Sequence, residues 1–538
     1  MNTIPARVIS VSRCVVPALL LMCVALPFLF MGRPDIFGAD SGENRVPAPL
    51  PSIPQSLVDY LKIPKAFDSY VYDNFGMRNL LIEANARLKY GLLGVSFSRK
   101  VLVGRNGWLF HNNHRDMLDY SGLGDVSEQD LRRWRIVLEE RGDWLKLKHI
   151  VFGVAVAPTK QSIYAEFMPA HLGPRSKGSA LDRLSAHMAG KSDVVFLDLR
   201  SALRAAKTNH QVYFKTDSHW NFHGALAGYE HIARAFPEIF DPQHILDYPD
   251  LVAAQGSYRT NLPAMLGMKG TEKTTRFERR DGWLARSIKS DDGDGGLKRR
   301  TGITRISEID DPSLKRGLFI VDSFYGWNSQ FFAEHFQRLV AVNRFNYGWK
   351  LKDAFPAEII AAEKPDIVLM QFVEGHLGNC SKPECLASPG IESNPPEVRQ
   401  ARLQRLFAES RQAPGHLQVV EVVRTREPMA RVRGGPATEP AWRVVFAGMA
   451  AGQHRSGPYL LRIRVEADEE LLIRSAFSRK SACLDRQEVT DIQVHAGISE
   501  LLLCADGLDH NGKTELRVIG NAGAVRFLAA EAVAHPDL

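Results

Sequence analysis

The feature that most constrains the fold is an alternation of apolar, strand-like runs with amphipathic, helix-like segments. Residues 127–146 predict a helix that Ser127 caps, and residues 149–158 predict a buried strand after it. A second helix, a strand and a third helix are predicted at 179–191, 193–199 and 201–207. Because helices that alternate with strands form crossovers between parallel strands, the pattern predicts an α/β fold with a parallel sheet and helices on both faces.

A later strand carries the first candidate catalytic residue. Residues 317–326 read Gly-Leu-Phe-Ile-Val-Asp-Ser-Phe-Tyr-Gly, an apolar run that stops at Asp322 and Ser323. Such a run predicts a buried parallel strand that delivers Ser323 to its carboxyl edge, where ligands bind in open α/β sheets. A helix predicted over 328–337 places the Ser323 amide near a helix N-terminus, where it can stabilise an oxyanion.

About a hundred residues earlier, residues 214–221 read Phe-Lys-Thr-Asp-Ser-His-Trp-Asn. They lie between a short apolar run and a helix-like stretch at 222–236, so they predict a loop at a sheet edge. Asp217 can orient the ring of His219 and stabilise its protonated form. The motif alone is also typical of ordinary loop polarity or of a metal ligand.

The two motifs together resemble the SGNH-like polysaccharide O-acetyltransferases of the alginate type, the AlgX/AlgJ group. In that family an Asp-x-His motif precedes a Gly-Asp-Ser-Phe motif, whereas ordinary SGNH esterases have the serine first. Here the order is Asp217, His219, Ser323, and Val321 stands where the family motif has glycine. The resemblance implies a Ser-His-Asp triad made of these residues.

A second stretch carries the same resemblance. Residues 100–110 read Lys-Val-Leu-Val-Gly-Arg-Asn-Gly-Trp-Leu-Phe, which is similar to the same family. From the residues alone the stretch predicts a strand, a tight turn at Asn106-Gly107 and a second strand.

Four further residues are predicted to bind substrate. Lys160 follows the strand at 149–158, where the family has a Pro-x-Lys; it could meet an acidic sugar or be a solvated loop lysine. Trp220 could form an apolar wall of the acceptor site or a core plug. Arg344 ends a strand and could line the cleft or pair with Glu374, and Tyr325 lies beside the nucleophile motif. No metal or cofactor is predicted.

The ends of the chain indicate an exported protein. Residues 14–31 are almost wholly apolar, with Arg7 and Arg13 before them, which predicts a signal anchor or signal peptide over 1–33 and a linker over 34–56. The expected location is the periplasm, with an anchor in the inner membrane. Two local cysteine pairs then predict disulfides, Cys380 with Cys385 and Cys483 with Cys504.

Two domains are expected after the linker. Residues 57–430 predict the SGNH-like acetyltransferase domain, and a charged stretch at 268–300 is interpreted as an irregular insertion, either a lid, a rim or a mobile loop. Residues 434–538 show short alternating runs separated by turns, which predict a β-sandwich that could bind carbohydrate.

The predicted function is transfer of an acetyl group through an acetyl-serine onto hydroxyls of an exopolysaccharide, alginate or a similar polymer. The alternatives are a carbohydrate acetyl esterase and a non-catalytic polysaccharide-binding scaffold of an export complex. A net charge of +7 suits an acidic polysaccharide or a membrane surface, or simple solubility, and no nucleic-acid partner is predicted. Expected partners are the polysaccharide, a multi-pass membrane acyltransferase that donates the acetyl group, and a synthesis and export complex.

Overall fold

The structure is a computed structural model, and it describes residues 47–343 and 355–377 apart from gaps at 97, 124–125, 176–177 and 289–301. It also describes shorter stretches within 17–33 and 394–406, and strands within 418–534. The α-helices described between residues 57 and 363 are α1 (Leu57–Asn74), α2 (Arg78–Leu93), α3 (His114–Tyr120), α4 (Glu128–Lys146), α5 (Lys160–Ile163), α6 (Ala180–Met188), α7 (Arg200–Lys207), α8 (Phe222–Ala235), α9 (Asn261–Met265), α10 (Tyr325–Ala333) and α11 (Ala357–Glu363).

The strands of the first four hundred residues are β1 (Val101–Val103), β2 (Leu109–His111), β3 (Val151–Ala157), β4 (Val195–Asp198), β5 (Leu251–Arg259), β6 (Thr271–Arg279), β7 (Arg286–Ile288), β8 (Ile303–Glu308), β9 (Lys315–Val321), β10 (Phe336–Asn343) and β11 (Ile367–Val373). Seven of them form one sheet in the order β4-β3-β11-β9-β10-β8-β7. The run from β4 to β10 is parallel, and β8 and β7 add antiparallel strands at one edge. The predicted α/β sheet is therefore present, but it is mixed rather than wholly parallel.

Both faces of this sheet are buried, because alternate side chains of β9 pack into two different apolar clusters. Leu318 and Ile320 pack in one apolar cluster with side chains of α4, α6 and α11. Phe319 and Val321 pack in a second cluster with side chains of α8 and α10. Because successive strand residues point to opposite faces, a strand covered by helices on both sides must be apolar throughout. This requirement explains the unbroken apolar runs in the sequence.

Three neighbouring strands bring their carboxyl ends to one edge of the sheet. Strand β11 lies between β3 and β9, with Val373 opposite Ala157 and Gln371 opposite Val321. The residues that follow these strands, Lys160 after β3 and Ser323 after β9, therefore lie on the same side of the molecule. The chain order separates them, and the parallel register brings them together.

Several local predictions are confirmed. Ser127 caps α4, and Asp130 completes a reciprocal capping box with it. The stretch around Asn106 and Gly107 is a turn between β1 and β2, and both residues have positive φ angles, 55° and 77°. Positive φ is the reason that Asn-Gly suits this turn.

The interpretation of residues 268–300 as an irregular insertion needs correction. Strand β6 (Thr271–Arg279) pairs antiparallel with β5 along its whole length, and β7 joins the edge of the central sheet. Charged residues in β6 obscured the strand pattern, because β5 is largely exposed and most of β6 is half-buried or exposed.

The strands beyond the α/β unit are β12 (Gln418–Val419), β13 (Glu421–Val423), β14 (Ala441–Val445), β15 (Pro458–Ala467), β16 (Leu471–Ser475), β17 (Thr490–Val494), β18 (Gly497–Asp506), β19 (Lys513–Ile519) and β20 (Val525–Ala534). They form antiparallel sheets of four and five strands, in the orders β12-β20-β15-β18 and β13-β14-β19-β16-β17. The expectation that these sheets pack as a sandwich stays a prediction.

Other predictions about the ends of the chain remain open. Cys380, Cys385 and Cys483 lie outside the described residues, and the side chain of Cys504 is also outside them although its backbone pairs in β18. The predicted apolar segment at 14–31 is described only in part. Within the portion of the chain that is described, no helix has the length and apolar character needed to cross a membrane.

The packing at Gly153 in β3 generates a first prediction. A Cβ atom at this position would lie 2.1 Å from Cζ of the buried Phe236 ring. We expect Gly153→Ala to lower the free energy of unfolding by about 1–3 kcal/mol, because overpacking forces the ring or the strand to shift. Urea unfolding followed by intrinsic fluorescence measures the change.

The matched control is Gly91→Ala, because a Cβ there meets nothing within 4 Å and the residue lies in helix α2. That control should be neutral or stabilising, since alanine favours helix over glycine. Adding Phe236→Leu to Gly153→Ala should recover part of the loss. Equal stability of the Gly153→Ala and Gly91→Ala variants would contradict the packing argument.

Candidate active site

The structure brings Asp217, His219 and Ser323 into one hydrogen-bonded row. The Nδ1 atom of His219 lies 2.7 Å from Oδ1 of Asp217, and its Nε2 atom lies 2.9 Å from Oγ of Ser323. Asp217 is buried, whereas Ser323 is exposed at the cleft. With Nδ1–H donating to the carboxylate, Nε2 is free to accept the proton of the serine hydroxyl.

The carboxylate of Asp217 is held by backbone groups as well as by the imidazole. Its Oδ1 also accepts a hydrogen bond from the His219 amide at 3.0 Å, and its Oδ2 accepts one from the Asn261 amide at 2.8 Å. Burial alone would raise the pKa of Asp217, but these hydrogen bonds and the neighbouring imidazole hold that pKa below its ordinary value. The carboxylate is therefore ionised at neutral pH and fixed in orientation.

Asn261 was not predicted as a site residue. It begins helix α9, which follows the exposed strand β5, and its side chain also accepts from the Ser218 amide and donates to the Ser218 hydroxyl. The sequence carries no signal for this contact, because forty-four residues separate Asn261 from Asp217 and no motif joins them.

The loop that carries Asp217 is held from one side by Lys160. The Lys160 ammonium donates to the carbonyl oxygens of Phe214 at 3.1 Å, Lys215 at 3.0 Å and Asp217 at 2.6 Å. The rings of Trp108 and Phe110 lie 5.6 Å and 5.2 Å from the same nitrogen.

The same loop is held from the opposite side by Glu272 of β6. Its carboxylate accepts hydrogen bonds from the Lys215 amide, the Thr216 amide and the Thr216 hydroxyl. Glu272 was also missed by the sequence interpretation, because it lies in the charged stretch that was expected to be irregular.

The turn that carries Ser323 is fixed by Asp322. The Asp322 carboxylate is buried and accepts hydrogen bonds from the Phe324 amide at 2.9 Å and the Val373 amide at 2.7 Å. The Nε2 atom of His376 lies 3.5 Å from the same carboxylate. Asp322 therefore ties the end of β9 to the end of β11 and leaves the neighbouring serine hydroxyl exposed.

One cleft of about 570 Å³ is lined by Lys160, His219, Asn261, Asp322 and Ser323, together with Asn113, Gln161 and His376. A volume of this size is typical of small-ligand sites in enzymes. Among the described residues there is no cluster of three or more His, Cys, Asp or Glu side chains suited to a metal ion. The Asp-x-His motif makes a carboxylate–imidazole pair with the serine, which is the arrangement of a nucleophile, a base and an orienting acid.

Three predicted substrate-binding residues have buried side chains, so the substrate-binding role is corrected for each, and for Trp220 the alternative of a core plug is the one that agrees with the structure. Lys160 is 1% exposed and holds the loop, so it is neither a sugar contact nor a solvated loop lysine. Trp220 is 0% exposed, and its indole N–H donates to the Phe324 carbonyl at 3.1 Å. Tyr325 packs in the core against Phe319 and Phe332. These side chains lie beside the motifs because they pack under the loop and the turn that carry the site residues.

Two further predictions concern Arg344 and Glu374. Arg344 lies outside the described residues, so its predicted contact with substrate or with Glu374 stays a prediction. Glu374 is buried, and its Oε1 accepts from the Thr159 amide at 2.8 Å, from the Thr159 hydroxyl at 2.7 Å and from the Ser162 hydroxyl. Glu374 thus joins the end of β11 to the segment that carries Lys160.

The fold and the row of side chains define an α/β protein whose cleft presents a serine hydrogen-bonded to a histidine and, through it, to an aspartate. Residues 101–281 match the family model of the SGNH hydrolase-like domain of acetyltransferase AlgX. This match includes Asp217 and His219 and ends before Ser323. The resemblance to the alginate-type polysaccharide O-acetyltransferases that the two motifs predicted is confirmed.

Curated relatives agree with this family. A probable alginate O-acetylase AlgJ of Pseudomonas aeruginosa is 27% identical over 206 residues, which cover 37% of this chain and 48% of the relative. The corresponding protein of Pseudomonas syringae pv. tomato is 27% identical over 184 residues, with 33% and 43% covered. The chain thus spans about half the length of the curated relatives it matches.

Solved structures with a similar course of the chain include Bacillus cereus PatB1, at 17% identity and a TM-score of 0.39, covering 52% of this chain and 97% of that one. The O-acetyltransferase domain of Pseudomonas putida AlgJ is 15% identical with a TM-score of 0.35, covering 57% and 99%.

The geometry of Asp217 generates a second prediction. We expect Asp217→Asn to lower the rate at which Ser323 reacts with a chromogenic acetyl ester by about 10²- to 10⁴-fold, because an amide reverses the hydrogen bond and selects the wrong imidazole tautomer. Release of nitrophenol at saturating ester measures kcat, and circular dichroism checks the fold.

The matched control is Asp241→Asn. Asp241 also lies beside a histidine, with Oδ2 2.9 Å from Nδ1 of His244, but this pair is exposed on the surface. The control should leave the rate unchanged. Retention of full activity in the Asp217→Asn variant would contradict a role for this carboxylate.

Proposed function

We propose that this protein is a polysaccharide O-acetyltransferase that works through an acetyl-serine at Ser323. The observation that carries the proposal is the continuous row from Asp217 through His219 to the exposed hydroxyl of Ser323. The match of residues 101–281 to an acetyltransferase family model supports transfer, rather than hydrolysis, as the reaction.

In the first half-reaction, Oγ of Ser323 attacks the carbonyl carbon of the acetyl donor. Nε2 of His219 takes the hydroxyl proton as the new ester bond forms, and it returns that proton to the leaving group as the donor bond breaks. Asp217 stabilises the protonated imidazole throughout this step. The products are acetyl-Ser323 and the protonated leaving group.

In the second half-reaction, a sugar hydroxyl takes the place of the leaving group. His219 accepts its proton, the sugar oxygen attacks the acetyl carbon, and the bond to Oγ of Ser323 breaks as the serine regains a proton from His219. The cleft beside Ser323 is lined by amide, imidazole and hydroxyl groups, including Asn113, Gln161 and Ser218. Groups of this kind suit hydrogen bonding to a carbohydrate.

The acceptor, the donor and the location follow as parts of the same proposal. The names of the relatives favour alginate or a similar exopolysaccharide as the acceptor. An exported protein needs its acetyl group relayed across the inner membrane, so a membrane acyltransferase and a polymer synthesis and export complex are the proposed partners. The apolar N-terminal segment supports a periplasmic location at that membrane.

A carbohydrate acetyl esterase is the second candidate. The specific observation that favours it is the exposure of Ser323 to solvent, because water that reaches the acetyl-enzyme can take the place of the sugar. The two activities share every step of the first half-reaction and differ only in the acceptor.

A third prediction separates these candidates. The full chain is incubated with 4-nitrophenyl acetate, with and without a mannuronate oligosaccharide, and both protein and sugar are analysed by mass spectrometry. We expect an acetyl group on Ser323, transfer of that group to the oligosaccharide, and loss of both in Ser323→Ala.

The control variant is Ser313→Ala, which changes a surface serine whose hydroxyl bonds to Asp311. It should behave as the unmodified chain does. Ester cleavage that never acetylates sugar would identify an esterase. Oligosaccharide binding without any acetylation of Ser323 would identify a scaffold, and it would overturn the proposal.

A further inference from the structure

Lys160 is a fully buried cation at the floor of the active site. Its side chain is 1% exposed, and its hydrogen bonds go to carbonyl oxygens of residues 214, 215 and 217 rather than to a carboxylate. Burial of an ammonium group is costly, and neutral residues of similar volume usually pack at lower cost. A lysine at this point therefore needs a reason beyond packing.

We propose that Lys160 is a positioning residue for acyl transfer, whose ammonium holds the loop of Asp217 and His219 in the reactive geometry and stabilises the charged form of Asp217. The inference rests on the proposed function and extends it to a side chain that does not touch the reacting atoms. It replaces the sequence-based expectation that Lys160 contacts substrate.

The first support is the arrangement of charges across the loop. Lys160 faces the carbonyl oxygens of the loop, and Glu272 faces the amides of residues 215 and 216. Opposite charges at the two ends of peptide dipoles stabilise one orientation of the backbone, for the same reason that charges stabilise helix ends. The loop is thus fixed by two side chains that the sequence places on separate elements.

The second support is the connection of Lys160 to the nucleophile. Residues 159 and 162, on either side of Lys160, bond to Oε1 of Glu374 at the end of β11. The neighbouring Val373 amide bonds to Asp322, beside Ser323. A network of hydrogen bonds and short backbone segments, called here the circuit, therefore connects the base loop through Lys160, Glu374 and Asp322 to Ser323. Among the residues described, Lys160 is the only lysine or arginine whose side chain takes part in this circuit.

The third support is the titration of this group. Burial lowers the pKa of Lys160 from 10.5 to about 7, although the charges of Asp217 and Glu272 oppose that change. The other titratable groups that line the cleft are His111, His219, Asp116, Asp322 and His376. Below about pH 7 the ammonium is charged and binds the carbonyls, and above about pH 7 it loses its charge.

The sign of the pH effect follows from this pKa. Activity needs charged Lys160, so it falls as the pH rises through about 7. We expect a falling alkaline limb in the pH profile of kcat for acetyl-ester cleavage. Stability moves the other way, because between this pKa and the ordinary lysine pKa the unfolded chain binds more protons, and stability rises with pH there.

The experiment compares the full chain with Lys160→Met, Lys160→Arg and the matched control Lys207→Met. Lys207 also donates to a backbone carbonyl, that of Ile163 at 2.6 Å, but it lies at the partly exposed face of α7. The probe is 4-nitrophenyl acetate, with kcat and KM measured across pH. A second readout, independent of activity, is the imidazole N–H signal of His219 in a ¹⁵N-histidine-labelled chain.

We expect Lys160→Met to lower kcat by about 10²-fold with little change in KM, because a misplaced base slows the chemical step more than it weakens binding. The alkaline limb should disappear, and the hydrogen-bonded Nδ1–H signal of His219 should be lost. Lys160→Arg keeps a charge at high pH, so it should recover part of kcat without the alkaline limb. Lys207→Met should match the unmodified chain.

Two outcomes would overturn the inference. One is a Lys160→Met variant that retains kcat, the alkaline limb and the His219 signal. The other is a Lys160→Met variant that loses kcat while its pH profile and His219 signal stay unchanged, which would indicate a purely structural role. If the unmodified chain cleaves no acetyl ester, the proposed function fails, and the His219 signal still decides whether Lys160 positions the loop.

Discussion

The hydrogen bond between Asp217 and His219 is the interaction on which the site depends. An imidazole placed near a serine is a weak base with two tautomers, and only one of them presents a free Nε2 atom to the hydroxyl. The buried carboxylate favours that tautomer, and in the proposed reaction it stabilises the proton once it is transferred. The Asn261 amide bonds to the same carboxylate, and the Glu272 carboxylate bonds to the loop that carries the pair.

The central sheet makes this arrangement possible because it is buried on both faces. Strands β3, β11 and β9 lie side by side, and their carboxyl ends supply Lys160, Glu374 and Ser323 to one edge. The strands are rigid elements, so polar side chains mounted just beyond them are held more firmly than in a long loop. The loop of Asp217 and His219 is the exception, since it follows no strand of the central sheet. Its position is set instead by the buried contacts of Lys160 and Trp220.

In the proposed reaction, transfer and hydrolysis use the same serine, histidine and aspartate, and they differ in which acceptor reaches the acetyl-enzyme. The structure places Ser323 at an exposed cleft, with hydrogen-bonding side chains around it. Ser323 and His219 are hydrogen-bonded to each other, and the cleft beside Ser323 is open to an acceptor. In such an arrangement a polymer that fills the cleft both supplies the hydroxyl and excludes water.

The sequence by itself determined the α/β class, the strand that carries Ser323 and the pairing of Asp217 with His219. It could do so because apolar periodicity and short motifs are local properties of the chain. The burial of Lys160, Trp220 and Tyr325, and the contacts of Asn261 and Glu272, were decided by tertiary structure alone. These side chains act across elements distant in sequence, and whether a residue faces a cleft or a core depends on what packs against it. Local sequence patterns identified Asp217, His219 and Ser323, whereas long-range packing determined which side chains fix their positions.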